Sequence, residues 1–175
     1  MKTTALLIYF ILSVTSTIVH AQDEKYMGKV KTLDCTIESL YGVISGEKGE
    51  ARDWDFFRFL FHPDAKLIPS GKNNEGTTSA QYMTVEDYIT RAGEWLVENG
   101  FFEKEIYRVT DTFGCVTHVF STYESFRSEA DVEPFARGIN SIQLMHDGER
   151  WWIINIYWTS ETPANPIPEK YLPER

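Results

Sequence analysis

The stretch DWDFFRFLFHPDAKLIPSG, Asp53 to Gly71, constrains the fold more than any other part of the chain. Asp53 is an N-cap residue ahead of a short run that places Trp54, Phe57, Leu60 and Phe61 on one side of a helix. Pro63 stops that helix, because the residue before a proline avoids the helical region. Ala65 to Pro69 then reads as a short strand. A compact aromatic helix running straight into a strand needs a sheet to pack on, and the second half of the chain supplies one.

Four long runs rich in β-branched and aromatic residues follow: Phe101 to Phe113, Cys115 to Phe126, Ala136 to His146 and Arg150 to Glu161. Gly114, the acidic loop Ser128 to Pro134, and Asp147-Gly148 separate them. Asp-Gly between two such runs predicts a two-residue hairpin turn. Outward from that turn, His146 pairs with Glu149, Gln143 with Trp152, Asn140 with Asn155, Gly138 with Tyr157, and Arg137 with Trp158. One face then holds Asn140, Ile142, Leu144, Trp151, Ile153, Asn155 and Tyr157; Arg137, Ile139, Gln143, Trp152, Ile154, Ile156 and Trp158 share the other. Both faces are mainly apolar, so both are expected to be covered, one by helices and the other by a second subunit.

Two further helices complete the inventory. Leu33, Ile37, Leu40, Tyr41 and Ile44 recur at helical spacing between Thr32 as cap and Gly46 as stop. Thr84 opens another, with Val85, Tyr88, Ile89, Ala92 and Leu96 on its apolar stripe and Asn99-Gly100 at its end. Three helices, one early strand and a four-stranded antiparallel meander make an α+β fold, with helices segregated to one side of a curved, mainly antiparallel sheet. Such a cone encloses a ligand pocket.

The N-terminus, MKTTALLIYFILSVTSTIVHAQ, has the pattern of a secretory signal peptide: Lys2, a short apolar core, and Val19-His20-Ala21 as the cleavage site. The expected layout is a leader at 1–21, a flexible segment at 22–31, the domain at 32–161, and a proline-rich tail at 162–175. The chain is therefore expected to be exported, periplasmic or secreted, and free of the membrane after cleavage. Its formal net charge is −9, one unit more negative once Lys2 is removed. That sign repels phosphate backbones and anionic membrane surfaces, which excludes nucleic acid as a partner. Export permits a Cys35–Cys115 disulfide; two separate buried thiols are the favoured expectation, since a domain of this size needs no staple.

The residues FRFLFHPDAKLI (Phe57 to Ile68), EDYITRAGEWL (Glu86 to Leu96), FSTYES (Phe120 to Ser125) and RGINSIQLMHDGERWWIINIYW (Arg137 to Trp158) resemble the nuclear transport factor 2-like superfamily, its SnoaL-like branch in particular. The resemblance runs from about Thr32 to Glu161. It implies a cone-shaped, cystatin-like domain that dimerises through its sheet. The superfamily mixes isomerases, dehydratases, cyclases, epoxide hydrolases, transport factors and binding domains, so the fold does not carry a function. Its enzymes work without a cofactor, by placing an Asp, His, Tyr or Arg inside the cone.

Two functional classes are carried from the residues: a domain binding a small, largely apolar molecule, and a cofactor-independent lyase, isomerase or hydrolase. A structural or assembly domain with a filled cone stands as a third reading. For catalysis the candidates are Asp64 with His62, His118 or Arg137 in support. Against them, Asp64 and His62 satisfy backbone groups in a tight turn, and His118 is an ordinary strand histidine. Ligand-contact candidates are Trp54, Tyr82, Arg137, Asn140, Asn155, Trp158 and Glu161. The Arg137–Trp158 pair suits an anionic or carbonyl group or a structural cation–π contact. The Asn140–Asn155 pair suits a substrate oxygen or an inter-strand amide ladder. No metal site is expected, because His62, His118 and His146 lack ligand spacing.

Overall fold

A computed structural model describes residues 24–72 and 75–174. The expected leader, 1–21, lies outside the described residues. Thr32 caps helix α1 (Leu33–Ile44), its side chain accepting from the Cys35 amide, and Asp53 caps helix α2 (Trp54–Leu60) through the Phe56 amide. Helix α3 (Val85–Asn99) begins with a reciprocal capping box between Thr84 and Asp87 and ends at Gly100, whose φ of 68° favours glycine. The stop of α1 is Ser45 in an extended conformation rather than Gly46. Gly46 is needed for a different reason: the Arg52 guanidinium occupies the space a Cβ would take.

Six strands form one sheet: β1 (Phe61–Lys72), β2 (Thr78–Ala80), β3 (Phe102–Phe113), β4 (Val116–Phe126), β5 (Ala136–His146) and β6 (Trp151–Ser160). Their order is β2-β1-β6-β5-β4-β3, with β1 parallel to β6 and every other pair antiparallel. The meander β3 to β6 matches the expected four strands. Strand β1 is much longer than Ala65 to Pro69, since pairing with β6 already begins at Phe61, and β2 is a short edge strand that the polar run 77–80 does not announce. Between Phe61 and Lys66 the β1 register slips against β6, so the intervening His62, Pro63, Asp64 and Ala65 bulge out of the ladder.

The last hairpin also departs from expectation. His146 pairs with Trp151, so the connection is four residues, 147–150, instead of two. The side chain of Asp147 explains this: Oδ1 accepts from the amides of Glu149 and Arg150, closing a wider turn. A bulge at Ile154 then shifts the register again, because Leu144 faces Ile153 while Gln143 faces Asn155. The outcome is that Asn140 lies opposite Trp158, and neither the Asn140–Asn155 nor the Arg137–Trp158 pair forms. The concave face carries Asn140, Ile142, Leu144, Ile153, Ile156 and Trp158; Asn155 and Tyr157 belong to the other side.

The three helices cover the concave face. Phe57, Leu60, Ile37, Ile142, Leu144 and Ile153 are at most 2% exposed and form the centre of the core. Residues 24–31, expected to be flexible, are docked: Val30 is fully buried, and Tyr26 stacks on Phe56 and donates to the Asp53 carboxylate. The outer face is covered in part by the chain's own C-terminal arm. Thr122 Oγ1 donates to the Tyr171 carbonyl at 2.7 Å, Tyr171 packs against Phe120, and Ile167 is buried. Cys35 and Cys115 are separate thiols, and Cys115 is exposed rather than buried. No described helix is long and apolar enough to cross a membrane.

Candidate functional site

Between α3 and the concave sheet the packing leaves a cavity of about 270 Å³. Its walls are Tyr88, Ala92 and Leu96 from α3, Leu40 and Ile44 from α1, and Ile156 and Trp158 from β6. The Val85, Tyr88, Ile89 and Ala92 stripe of α3 is half-buried against the core, and Tyr88 and Ala92 of that stripe face this cavity.

One carboxyl enters this apolar chamber. Glu103, on β3, lines the cavity together with Asn140, Ser125 and Tyr123. Asn140 Nδ2 donates to Glu103 Oε1 at 3.2 Å, and Ser125 Oγ donates to Oε2 at 3.4 Å. Burial pushes the Glu103 carboxyl up to about 7, the two hydrogen bonds opposing the rise. Near neutral pH it therefore exists in both protonation states.

Behind Glu103 runs a hydrogen-bond chain whose direction follows from its donors. Asn140 Nδ2 has only hydrogens to give, and it also reaches Tyr41 Oη at 3.1 Å. Tyr41 in turn lies 2.7 Å from Ser121 Oγ, and Ser121 donates to Glu105 Oε1. The Tyr41 hydroxyl proton therefore points at Ser121. Glu105 is half-buried and held by Arg108, which also pairs with Asp34 at the surface. Tyr41 and Tyr88 are raised well above the ordinary phenol range by burial, with Glu103 adding to the rise, so both stay protonated. Burial likewise lifts Tyr123, to about 12. Its ring crosses Gly138, where any side chain would collide with the phenol oxygen.

Of the residues singled out from sequence, Asn140 and Trp158 line this cavity; the others lie elsewhere. Asp64 is almost fully exposed on the β1 bulge, and the nearby His62 Nδ1 accepts from the Asp64 amide at 3.2 Å, the tight-turn arrangement. His118 is on the outer face, bonded to Ser141 Oγ at 2.9 Å. Asp64, His62 and His118 thus share no common pocket. Arg137 Nε donates to Glu161 Oε2 at 2.8 Å, and Glu161 Oε1 accepts from the Ile167 amide, so this pair anchors the C-terminal arm. Trp54 packs edge-on against Phe57 and beside Gly93 of α3, Tyr82 is 74% exposed, and Asn155 sits on the outer side. No group of side chains suited to a metal ion occurs among the described residues.

Glu103 was not among the sequence candidates. Its signal is the alternation Phe101, Glu103, Glu105 in FFEKEIY, which puts two acids on the same side of an otherwise aromatic strand. Acids on a strand usually mark the solvent face; here Glu103 and Glu105 lie opposite Ser125 and Tyr123 of β4, whose side chains face the concave side.

No family model matches the sequence, and no curated protein matches it. Solved structures do. A protein with a cystatin-like fold from Nostoc punctiforme superposes with a TM-score of 0.55 at 11% identity, over 73% of this chain and 87% of that one. An NTF-2 like protein from Silicibacter pomeroyi gives 0.52 at 12%, over 79% and 98%. The chain has the nuclear transport factor 2-like fold. A candidate ketosteroid isomerase from Parabacteroides distasonis gives 0.52 at 12% identity, over 78% of this chain and 98% of that one. At these identities the likeness establishes the nuclear transport factor 2-like fold and nothing finer.

Proposed function

We propose that the cone of this exported, SnoaL-like domain binds one small, largely apolar molecule whose polar group meets Glu103. The observation that carries this is a single hydrogen-bonded carboxyl in an otherwise apolar chamber. An apolar wall supplies affinity through burial, and a few convergent polar groups fix orientation. Native mass spectrometry of the protein purified from the exported fraction of its host tests it. The expected result is an extra mass released on denaturation and absent from an Ala92→Phe variant, whose added ring occupies the chamber. An identical bare mass for both proteins, with no probe phenol or dye retained by either, overturns it.

A second reading is favoured by one feature, the Glu103 carboxyl raised to about 7. A group that is half protonated at working pH is suited to general acid–base chemistry. In this reading Glu103 takes a proton from a carbon acid bound against Trp158 and returns it elsewhere on the same molecule, a cofactor-free isomerisation. Asn140 and Ser125 hold the carboxylate that carries the negative charge. Glu103→Gln is expected to abolish solvent-deuterium exchange into the bound molecule while leaving its binding in place; exchange at the wild-type rate would remove Glu103 from the chemistry.

A further inference from the structure

The mouth of the chamber is built differently from its floor. Trp95 and Phe135 line the cavity and are also 41% and 47% exposed, which places them where the chamber meets solvent. The Arg127 guanidinium lies over both rings, 4.5 Å from the Trp95 centroid and 4.1 Å from that of Phe135. Stacking covers the faces of the guanidinium and leaves its N–H edge free.

That edge has no partner among the described residues. Arg58, Arg108 and Arg137 are paired with carboxylates, and Arg52 and Arg150 donate to backbone carbonyls. Among the described residues the Arg127 guanidinium makes no hydrogen bond and no ion pair, in a chain whose formal net charge is −9. Two acids beside this loop are engaged by its own amides and hydroxyl. Asp131 accepts from the Arg127 and Ser128 amides, and Glu47 from Ser128 Oγ and the Glu129 amide. An unpaired guanidinium, stacked on two half-exposed rings that line an apolar cavity, is a ready receptor for an oxyanion.

We infer that the molecule bound in the cone is a short amphipathic carboxylate, its anionic head on Arg127 at the mouth and its second polar group at Glu103 on the floor. This rests on the cone-binding reading above. Ser125 pairs with Glu103 in the sheet, and Arg127 follows two residues later, just past the end of β4, so the backbone positions that carry Glu103 and Arg127 are about 7 Å apart. Volume sets the size. A cavity of about 150 Å³ accepts benzene, so 270 Å³ accommodates about eleven non-hydrogen atoms. A hydroxyaryl acetic acid has that size and a polar group at each end.

The test uses 4-hydroxyphenylacetate, its methyl ester and 4-ethylphenol as probes, with calorimetry and quenching of Trp95 and Trp158 as readouts, at pH 7.5 and low salt. Wild type is expected to bind the acid about tenfold more tightly than the ester. That preference should vanish in Arg127→Met, persist in weakened form in Arg127→Lys, and shrink as salt is raised. Equal binding of acid and ester by wild type, or an undiminished preference in Arg127→Met, overturns the headgroup assignment. If the neutral probes bind and are excluded by Ala92→Phe while the acid gains nothing, the cone reading stands and this inference alone falls. Failure of all three probes to bind removes both. Matching unfolding midpoints for the Arg127 variants, expected because the side chain is exposed, show that a lost preference is not lost structure.

Discussion

Replacing Glu103 by Gln should make the ligand-free protein more stable, and only above a defined pH. In the unfolded chain the carboxyl ionises near its model value of 4.5; in the folded protein it ionises at about 7. Below 4.5 both states are protonated and the group adds no penalty. Between 4.5 and about 7 the unfolded chain gives up its proton while the buried carboxyl keeps it, so stability falls across that window and levels off above 7, where the folded state also holds the charge. The gap is worth roughly 3 kcal/mol at 1.36 kcal/mol per unit. Glutamine keeps an oxygen for Asn140 and cannot ionise, so Glu103→Gln escapes that loss. Urea unfolding should find the variant about equal to wild type at pH 4.5 and roughly 3 kcal/mol more stable at pH 8, on the order of 9 °C in melting temperature for a domain of this size. A wild-type stability that is flat between pH 5 and 8, or a variant weaker than wild type at pH 8, would refute the placement of a titrating carboxyl in the cone.

Two other positions give independent checks. Arg52 is 7% exposed and donates to the carbonyls of Ile44, Gly46 and Leu96, tying the ends of α1 and α3 together; Arg52→Met should cost at least about 3 kcal/mol in urea unfolding, because buried acceptors lose their donors. Asp147 is held well below the usual carboxylate range, at about 2, by the Trp152 indole and the amides of Arg150 and Glu149. Its stabilising effect is present above the unfolded-state value of 3.8 and lost as pH falls through about 2, so carboxyl NMR should show a titration midpoint near 2 that moves up in Trp152→Phe.

Much of the fold was legible because each element carries local punctuation. Thr32, Asp53 and Thr84 are caps whose hydrogen bonds form as the residue types suggest. The four strands of the meander are delimited by Gly114, an acidic loop and Asp147-Gly148. The site was less legible for the same reason that register is hard to read: side chains alternate, so a slip of one residue exchanges the faces. Asp147 widened the turn with its own carboxylate, and the Ile154 bulge moved the partner of Asn140 from Asn155 to Trp158. Asn140 and Trp158, expected to contact a ligand, both line the cavity, though opposite strand partners other than those expected. Glu103 was missed because its environment is made by residues far away in the chain: Asn140 on β5, Ser125 on β4 and the helix α3 that roofs the chamber. Within its own strand only the alternation with Phe101 hints at an inward face, and an acid there reads first as solvent-facing.

The bulge at Ile154 makes the last strand tolerant of a length change at one place and intolerant of it next door. Removing Ile154 itself would restore a regular ladder between β5 and β6 and leave every pairing beyond it, Asn140 with Trp158 included, on its present face. Removing Tyr157, where no spare residue absorbs the change, would instead bring Trp158 opposite Ser141 on the outer side and put Thr159 opposite Asn140. A small hydroxyl side chain would then stand where an indole now lines the cavity, within the same scaffold and at the expense of one codon. The shape of this cone is therefore open to change by a length edit as well as by substitution, and a library of one-residue deletions across 152–158 separates the silent position from the others.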